Sequence, residues 1–221
     1  TYGRGASSIA PRRHILMTDR SSLISPLFTP APDHYPPLII GIMASGSGSN
    51  FEAIATAIEA NCLNARIAVL IYNKPEIKAI ERAQSRGIPA IFLAHRVYST
   101  RAELDREIVE TFRAHQAECV VVAGCVRVIT QVLIEAYPDR LINIHPSLLP
   151  SFPGIHAIEQ ALAAGVKITG CTVHLVSLEV DRGPILVQAA VPVLPDDTAA
   201  TLHARVQIQE HKILPQAIDS I

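Results

Sequence analysis

The sequence predicts a three-layer α/β/α domain built on a Rossmann-like, mostly parallel sheet that carries late antiparallel edge strands. Two observations lead to this class. Apolar runs rich in β-branched residues alternate with segments whose apolar residues recur at helical spacing, all the way from residue 38 to residue 145. Two more apolar runs, 169–177 and 184–193, then follow one another with only a turn containing EVDRG between them, which suits an antiparallel pair added at one side of the sheet.

Taken in order, LIIGIMA at 38–44 reads as a buried first strand. GSGSN at 46–50 is a glycine-rich turn, and a helix follows from about Asn50 with Phe51, Ile54, Ala57 and Ile58 on one face. RIAVLIY at 66–72 is the second strand. Asn73 and Pro75 open a helix expected to run through about Arg86, with Pro75 near its first position and Gly87 ending it. Residues 89–93 form the third strand. Ser99 or Thr100 caps a helix over 101–114, whose apolar face carries Leu104, Ile108 and Phe112. ECVVVA at 118–123 is the fourth strand, 130–136 a short helix, and 140–145 the fifth strand. A helix at 156–164 stops at Gly165. A cap within Asp196–Thr198 opens a last helix over about 199–214, which Pro215 is expected to kink rather than end.

Composition narrows the function. A chain of 221 residues suits one domain with a sizeable core, and 49% hydrophobic with 18% charged residues describes a globular chain. Nineteen basic against twenty acidic residues give a net charge of −1, which argues against a nucleic-acid partner and still allows a local anion site. No apolar run reaches the roughly eighteen residues of a membrane span. Cys62, Cys119, Cys125 and Cys171 are scattered without a CxxC, and no HExxH occurs, so no metal site is expected and a reduced, cytoplasmic setting fits. Residues 1–37, rich in Ser, Pro and Gly, read as an amino-terminal extension, flexible or docked, ahead of a single domain at 38–221.

Chemistry is concentrated in LINIHPSLLPSFPGIH, residues 141–156. Asn143 and His145 are two apart, so on a strand they face one side, at the carboxyl end where open α/β sheets place their sites. Pro146, without an amide hydrogen, stops regular pairing there. An amide and an imidazole stabilise an oxyanion, and a carboxylate such as Asp181 favours the charged imidazolium and raises its pKa. Alone, His145 reads as a structural histidine and Asp181 as a loop cap; their combination carries the weight. In GSGSN, Gly46, Gly48, Ser49 and Asn50 can cradle a phosphate on a helix amino terminus, or form a plain turn with Asn50 as cap. The pattern is neither GxGxxG nor a Walker loop, and Tyr72 and Asn73 replace the acidic residue a dinucleotide ribose needs, so a single phosphate monoester fits better.

INIHPSLLPSFPG is similar to the signature of the folate-dependent formyltransferases. The stretch 38–215 resembles the branch that formylates glycinamide ribonucleotide in purine biosynthesis. The resemblance implies 10-formyltetrahydrofolate as co-substrate, with Asn143 and His145 stabilising the oxyanion and Asp181 supporting His145. It implies that Gly48, Ser49, Asn50, Gln207 and Glu210 hold the ribonucleotide. It implies that Arg127, Val128 and Ile129, with Val126 in place of a common family Met, and Ser177, Leu178, Glu179, Val180 and Asp181, with Asn143, line a folate slot. Arg101 matches the family's cation for the glutamate tail, and Arg127 lies near the same edge. His174 matches a recurrent histidine and reads as a structural hydrogen-bonding residue, and Cys125 as a core thiol.

Formyltetrahydrofolate hydrolase, with a similar trio, is the first alternative. It would carry an extra amino-terminal domain for which residues 1–37 are too short. A transfer-RNA formyltransferase would add a carboxy-terminal domain and a basic surface. A non-catalytic nucleotide-binding module is the distant alternative, which the trio disfavours. The family runs about twenty residues past Pro215, room for a few short elements, so a shortened tail is expected at Ile221. Monomer or homodimer both fit.

Overall fold

The computed structural model describes residues 23–26, 36–124 and 127–221. Among them one eight-stranded sheet runs in the order β1-β8-β7-β6-β5-β2-β3-β4. The strands are β1 (Leu23–Ser25), β2 (Leu38–Ala44), β3 (Ala65–Tyr72), β4 (Ala90–Phe92), β5 (Cys119–Val122), β6 (Leu141–His145), β7 (Ile168–Leu175) and β8 (Ile185–Pro192). The helices are α1 (Ser49–Glu59), α2 (Lys78–Gln84), α3 (Arg101–Ala114), α4 (Gln131–Ala136), α5 (Ala157–Ala163) and α6 (Ala199–Asp219).

From β4 to β6 every neighbouring pair is parallel, as expected of strands joined through helices. β7 then pairs antiparallel with β6, and β8 antiparallel with β7. The sequence did not identify β1, which lies in the amino-terminal arm and pairs antiparallel with β8. The arm's other residues, apart from Pro26 and those at 36–37, lie outside the described residues.

Strand alternation divides the interior into two cores. Ile40, Ile42, Val121 and Ile142 face α1, α5 and α6, where Phe51, Ile54, Leu202 and Val206 meet them. Met43, Val120, Val122 and Leu141 face α3 and α4, where Ile108, Phe112 and Leu133 meet them. Asn143 and His145 therefore share the α3/α4 side with Leu141 by strand period. Cys119 and Cys171 are buried and Cys62 is exposed; burial pushes the Cys119 thiol up to about 12. Cys125 lies outside the described residues.

Helix starts show what local sequence hides. Thr100, not Ser99, caps α3 in a full capping box with Glu103, and Thr198 does the same for α6 with Thr201. The helix expected from Pro75 starts instead at Lys78, because Glu76 is left-handed at φ +57° and Ile77 is extended. Pro215 lies inside α6, which continues through it to Asp219.

Candidate active site

The site forms at the carboxyl edge of the parallel strands. β6 delivers Asn143 and His145, and the antiparallel register sets His174 of β7 directly opposite Asn143. Asn143 Nδ2 lies 3.1 Å from His174 Nε2, and His174 Nδ1 lies 2.8 Å from the Leu175 carbonyl. A carbonyl only accepts, so Nδ1 carries a proton; when the ring is neutral, Nε2 accepts from one Asn143 N–H. The second N–H of that amide is left for another partner. His174 Nε2 also lies 3.6 Å from Asp181 Oδ1, the partner it would face when charged.

His145 is buried, with Nδ1 3.3 Å from Asp181 Oδ2 and Nε2 2.9 Å from the Phe152 carbonyl. Both ring nitrogens face acceptors, an arrangement that only the doubly protonated ring satisfies in full. Asp181 is held from a third side by the Gly154 N–H at 2.7 Å. Burial pushes the Asp181 carboxyl up, but the His174 contact, the Gly154 N–H and the His145 charge together bring it below the usual carboxylate range. Thus Asn143, His145 and Asp181 are brought together, and His174 joins them as the link between amide and carboxylate. In the sequence His174 is marked by its alternating position and its match to a recurrent family histidine; its register against Asn143 could not be read. The carbonyl of Phe152 and the amide of Gly154 carry no side-chain signature at all.

These side chains face a cavity of about 700 Å³. Of the segment after β5, Arg127, Val128 and Ile129 line it; Val126 lies outside the described residues. Of the segment after β7, Ser177, Leu178, Val180 and Asp181 line it, while Glu179 does not. Arg101 lies apart from this cavity, in an adjoining cleft of about 370 Å³ that shares Arg127 and Val128 as a common wall. Arg127, the second cation near that edge, is not free: its guanidinium pairs with buried Asp105 of α3.

The glycine-rich turn after β2 lies on the same edge of the sheet. Only β5 separates β2 from β6, which puts the two strand ends about 10 Å apart. Gly48 precedes α1 with φ +70°, and a Cβ there would lie 2.7 Å from Ala79 Cβ, so α2 packs directly on the turn. Gln207 Nε2 donates to Ser49 Oγ at 2.9 Å and Asn50 Nδ2 to Glu210 Oε2 at 3.2 Å, so α6 completes this group. Ser49 also lines a second cavity between α1 and α6 rather than the one at His145. Burial pushes the Glu210 carboxyl up, against the Asn50 hydrogen bond and the His203 charge. Among the described residues no cluster of His, Cys, Asp and Glu suited to a metal ion occurs.

An open α/β sheet with a glycine-rich helix start and an amide–imidazole–carboxylate group on one edge is an arrangement suited to group-transfer enzymes. More narrowly, the chain belongs to the formyl transferase family, whose model matches residues 39–218. It is 43% identical to the phosphoribosylglycinamide formyltransferase of Bacillus subtilis over 180 residues, 81% of this chain and 92% of that protein. It is 40% identical over 181 residues to the trifunctional purine biosynthetic protein adenosine-3 of Drosophila melanogaster, covering 81% of this chain but only 13% of that longer protein. The crystal structure of glycinamide ribonucleotide transformylase 1 from Symbiobacterium toebii superposes with a TM-score of 0.82 at 42% identity, covering 83% of this chain and 86% of that one.

Proposed function

We infer that the chain transfers the formyl group of 10-formyltetrahydrofolate to the amine of glycinamide ribonucleotide, giving formylglycinamide ribonucleotide and tetrahydrofolate in purine biosynthesis. The observation that supports this most is the meeting of Asn143, His145 and Asp181 at a cavity large enough for a reduced folate, on the same edge as a phosphate cradle.

In this reading the cradle of Gly48, Ser49 and Asn50, with Gln207 and Glu210, holds the ribonucleotide. The folate lies along Arg127–Ile129 and Ser177–Asp181, with its tail toward Arg101. The amine nitrogen attacks the formyl carbon, and the carbonyl oxygen becomes negative. The free Asn143 N–H donates to that oxygen. His145 donates as well, once Nε2–H turns from the Phe152 carbonyl, which keeps Ser147 Oγ as an alternative donor at 3.3 Å. The proton of the attacking amine passes to N10 of the folate, by way of His145 or a water held at Asp181. The C–N10 bond then breaks and tetrahydrofolate leaves.

Every residue assigned here comes from one chain, so the reading holds for a monomer or a homodimer. Its setting is the cytoplasm. The test supplies 10-formyltetrahydrofolate with and without glycinamide ribonucleotide and follows tetrahydrofolate release. Release that requires the amine supports transfer; release at the same rate without it makes the chain a hydrolase.

A further inference from the structure

The wall of the cavity at residues 127–130 is held from behind by one carboxylate. Asp105, on α3, is fully buried and lines neither the main cavity nor the adjoining cleft. Its Oδ2 accepts from Thr130 N and from Thr130 Oγ1, each at 2.7 Å, and its Oδ1 meets the Arg127 guanidinium. Both ends of the four-residue wall are thus tied to the same side chain. Thr130 stands at the N-cap of α4 without making a side-chain cap there, since its hydroxyl is given to Asp105 instead. Between the two ties, Val128 and Ile129 present their side chains to the cavity.

We propose that Asp105 is a positioning residue for the reduced folate: it fixes the 127–130 wall and keeps Arg127 neutralised as the ridge between cavity and tail cleft. The proposal rests on the folate reading of that cavity. The pairing separates the two arginines. Arg127 is 10% exposed and its charge is answered within the protein, while Arg101 at the start of α3 is exposed and lines the cleft with Lys74. Loss of the Asp105 charge leaves a buried guanidinium unpaired, which is strongly unfavourable. Arg127 must then turn into the cavity or into the cleft, and the wall moves with it.

The experiment compares wild type with Asp105→Asn, which keeps an acceptor for Thr130 and removes the charge, and with the milder Thr130→Val. Tetrahydrofolate binding is measured by calorimetry, and KM is measured for each substrate. The expected result for Asp105→Asn is a folate Kd and KM raised at least about tenfold, as for a displaced binding wall, with the ribonucleotide KM within about twofold. Thr130→Val moves the folate values in the same direction by less. The Asp105→Asn penalty persists for a formyltetrahydropteroate lacking the glutamate, whereas an Arg101→Ala penalty disappears with that ligand. Equal rises in both KM values, or a lowered Tm with folate binding unchanged, overturn the proposal. If Asp105→Asn does not fold, unchanged folate binding in Thr130→Val overturns it. A wild type that binds no tetrahydrofolate defeats the folate reading itself, a different outcome from wild type and variant binding equally.

Discussion

Asp181 Oδ2 lies 3.3 Å from His145 Nδ1, and Asp181 reaches it from a left-handed backbone, φ +55°. Asparagine adopts that conformation as readily as aspartate, so Asp181→Asn removes the charge and little else. The expected outcome is a fall in kcat of about 100-fold or more, with both substrates still bound. Steady-state kinetics and calorimetry on one preparation check this. The same variant alters stability against acid. The folded Asp181 carboxyl titrates below its unfolded value, so the unfolded chain binds the proton first as pH drops. Its contribution is present above the ordinary carboxylate value and lost as pH falls through the lowered one. Denaturant melts across the acid range will show a shallower loss in Asp181→Asn.

Gly48 and Ala79 set the glycine-rich turn against α2. Gly48→Ala forces a Cβ at φ +70° into Ala79, which is expected to cost about 2–3 kcal/mol and to raise the ribonucleotide KM while sparing the folate KM. Adding Ala79→Gly removes the contact with Ala79 Cβ but leaves Ala79 Cα at 2.8 Å and the backbone strain. The double variant should therefore recover part of the stability, measured by urea unfolding as a double-mutant cycle.

Glu210 titrates in the opposite sense to Asp181. Its folded carboxyl is raised by burial, so the folded chain holds the proton longer than the unfolded chain. Stability from this group declines as pH rises from the ordinary carboxylate value through the raised one. Glu210→Gln keeps an acceptor for Asn50 and removes the ionisation. The expected outcome is loss of that component from the pH–stability curve, together with a higher ribonucleotide KM.

Ser147 is fully buried and its hydroxyl donates to the Ser151 carbonyl at 2.6 Å, with the Phe152 carbonyl at 3.3 Å as second acceptor. When His145 turns to substrate, this hydroxyl is the remaining donor for Phe152. Ser147→Ala should lower kcat about fivefold, the cost of one poorly satisfied carbonyl, with both KM values unchanged. Equal loss in kcat and in substrate affinity would place Ser147 in simple packing.

Much of this was legible in the chain, for reasons that differ by element. β2, β3 and β5 are buried on both faces, so continuous apolar runs announce them. The two-residue spacing of Asn143 and His145 carries its own geometry, because strand period fixes their common side. The start of α2 was misplaced since Pro75 suits a first turn, while the left-handed Glu76 leaves no mark in composition. β1 is three residues long and exists only through β8. Arg127 reads as a free cation until folding brings Asp105, 22 positions earlier, against it.

The hydrogen bond from Asn50 to Glu210 joins residues 160 apart, with consequences for the order in which a ribosome releases this chain. His145, Asp181 and the 127–130 wall all precede α6 in the chain and leave the exit tunnel ahead of it. Only when residues 207–210 emerge can α6 close on Ser49 and Asn50. Because a ligand stabilises only the form that binds it, any ligand held by this group would select chains in which this final docking is complete.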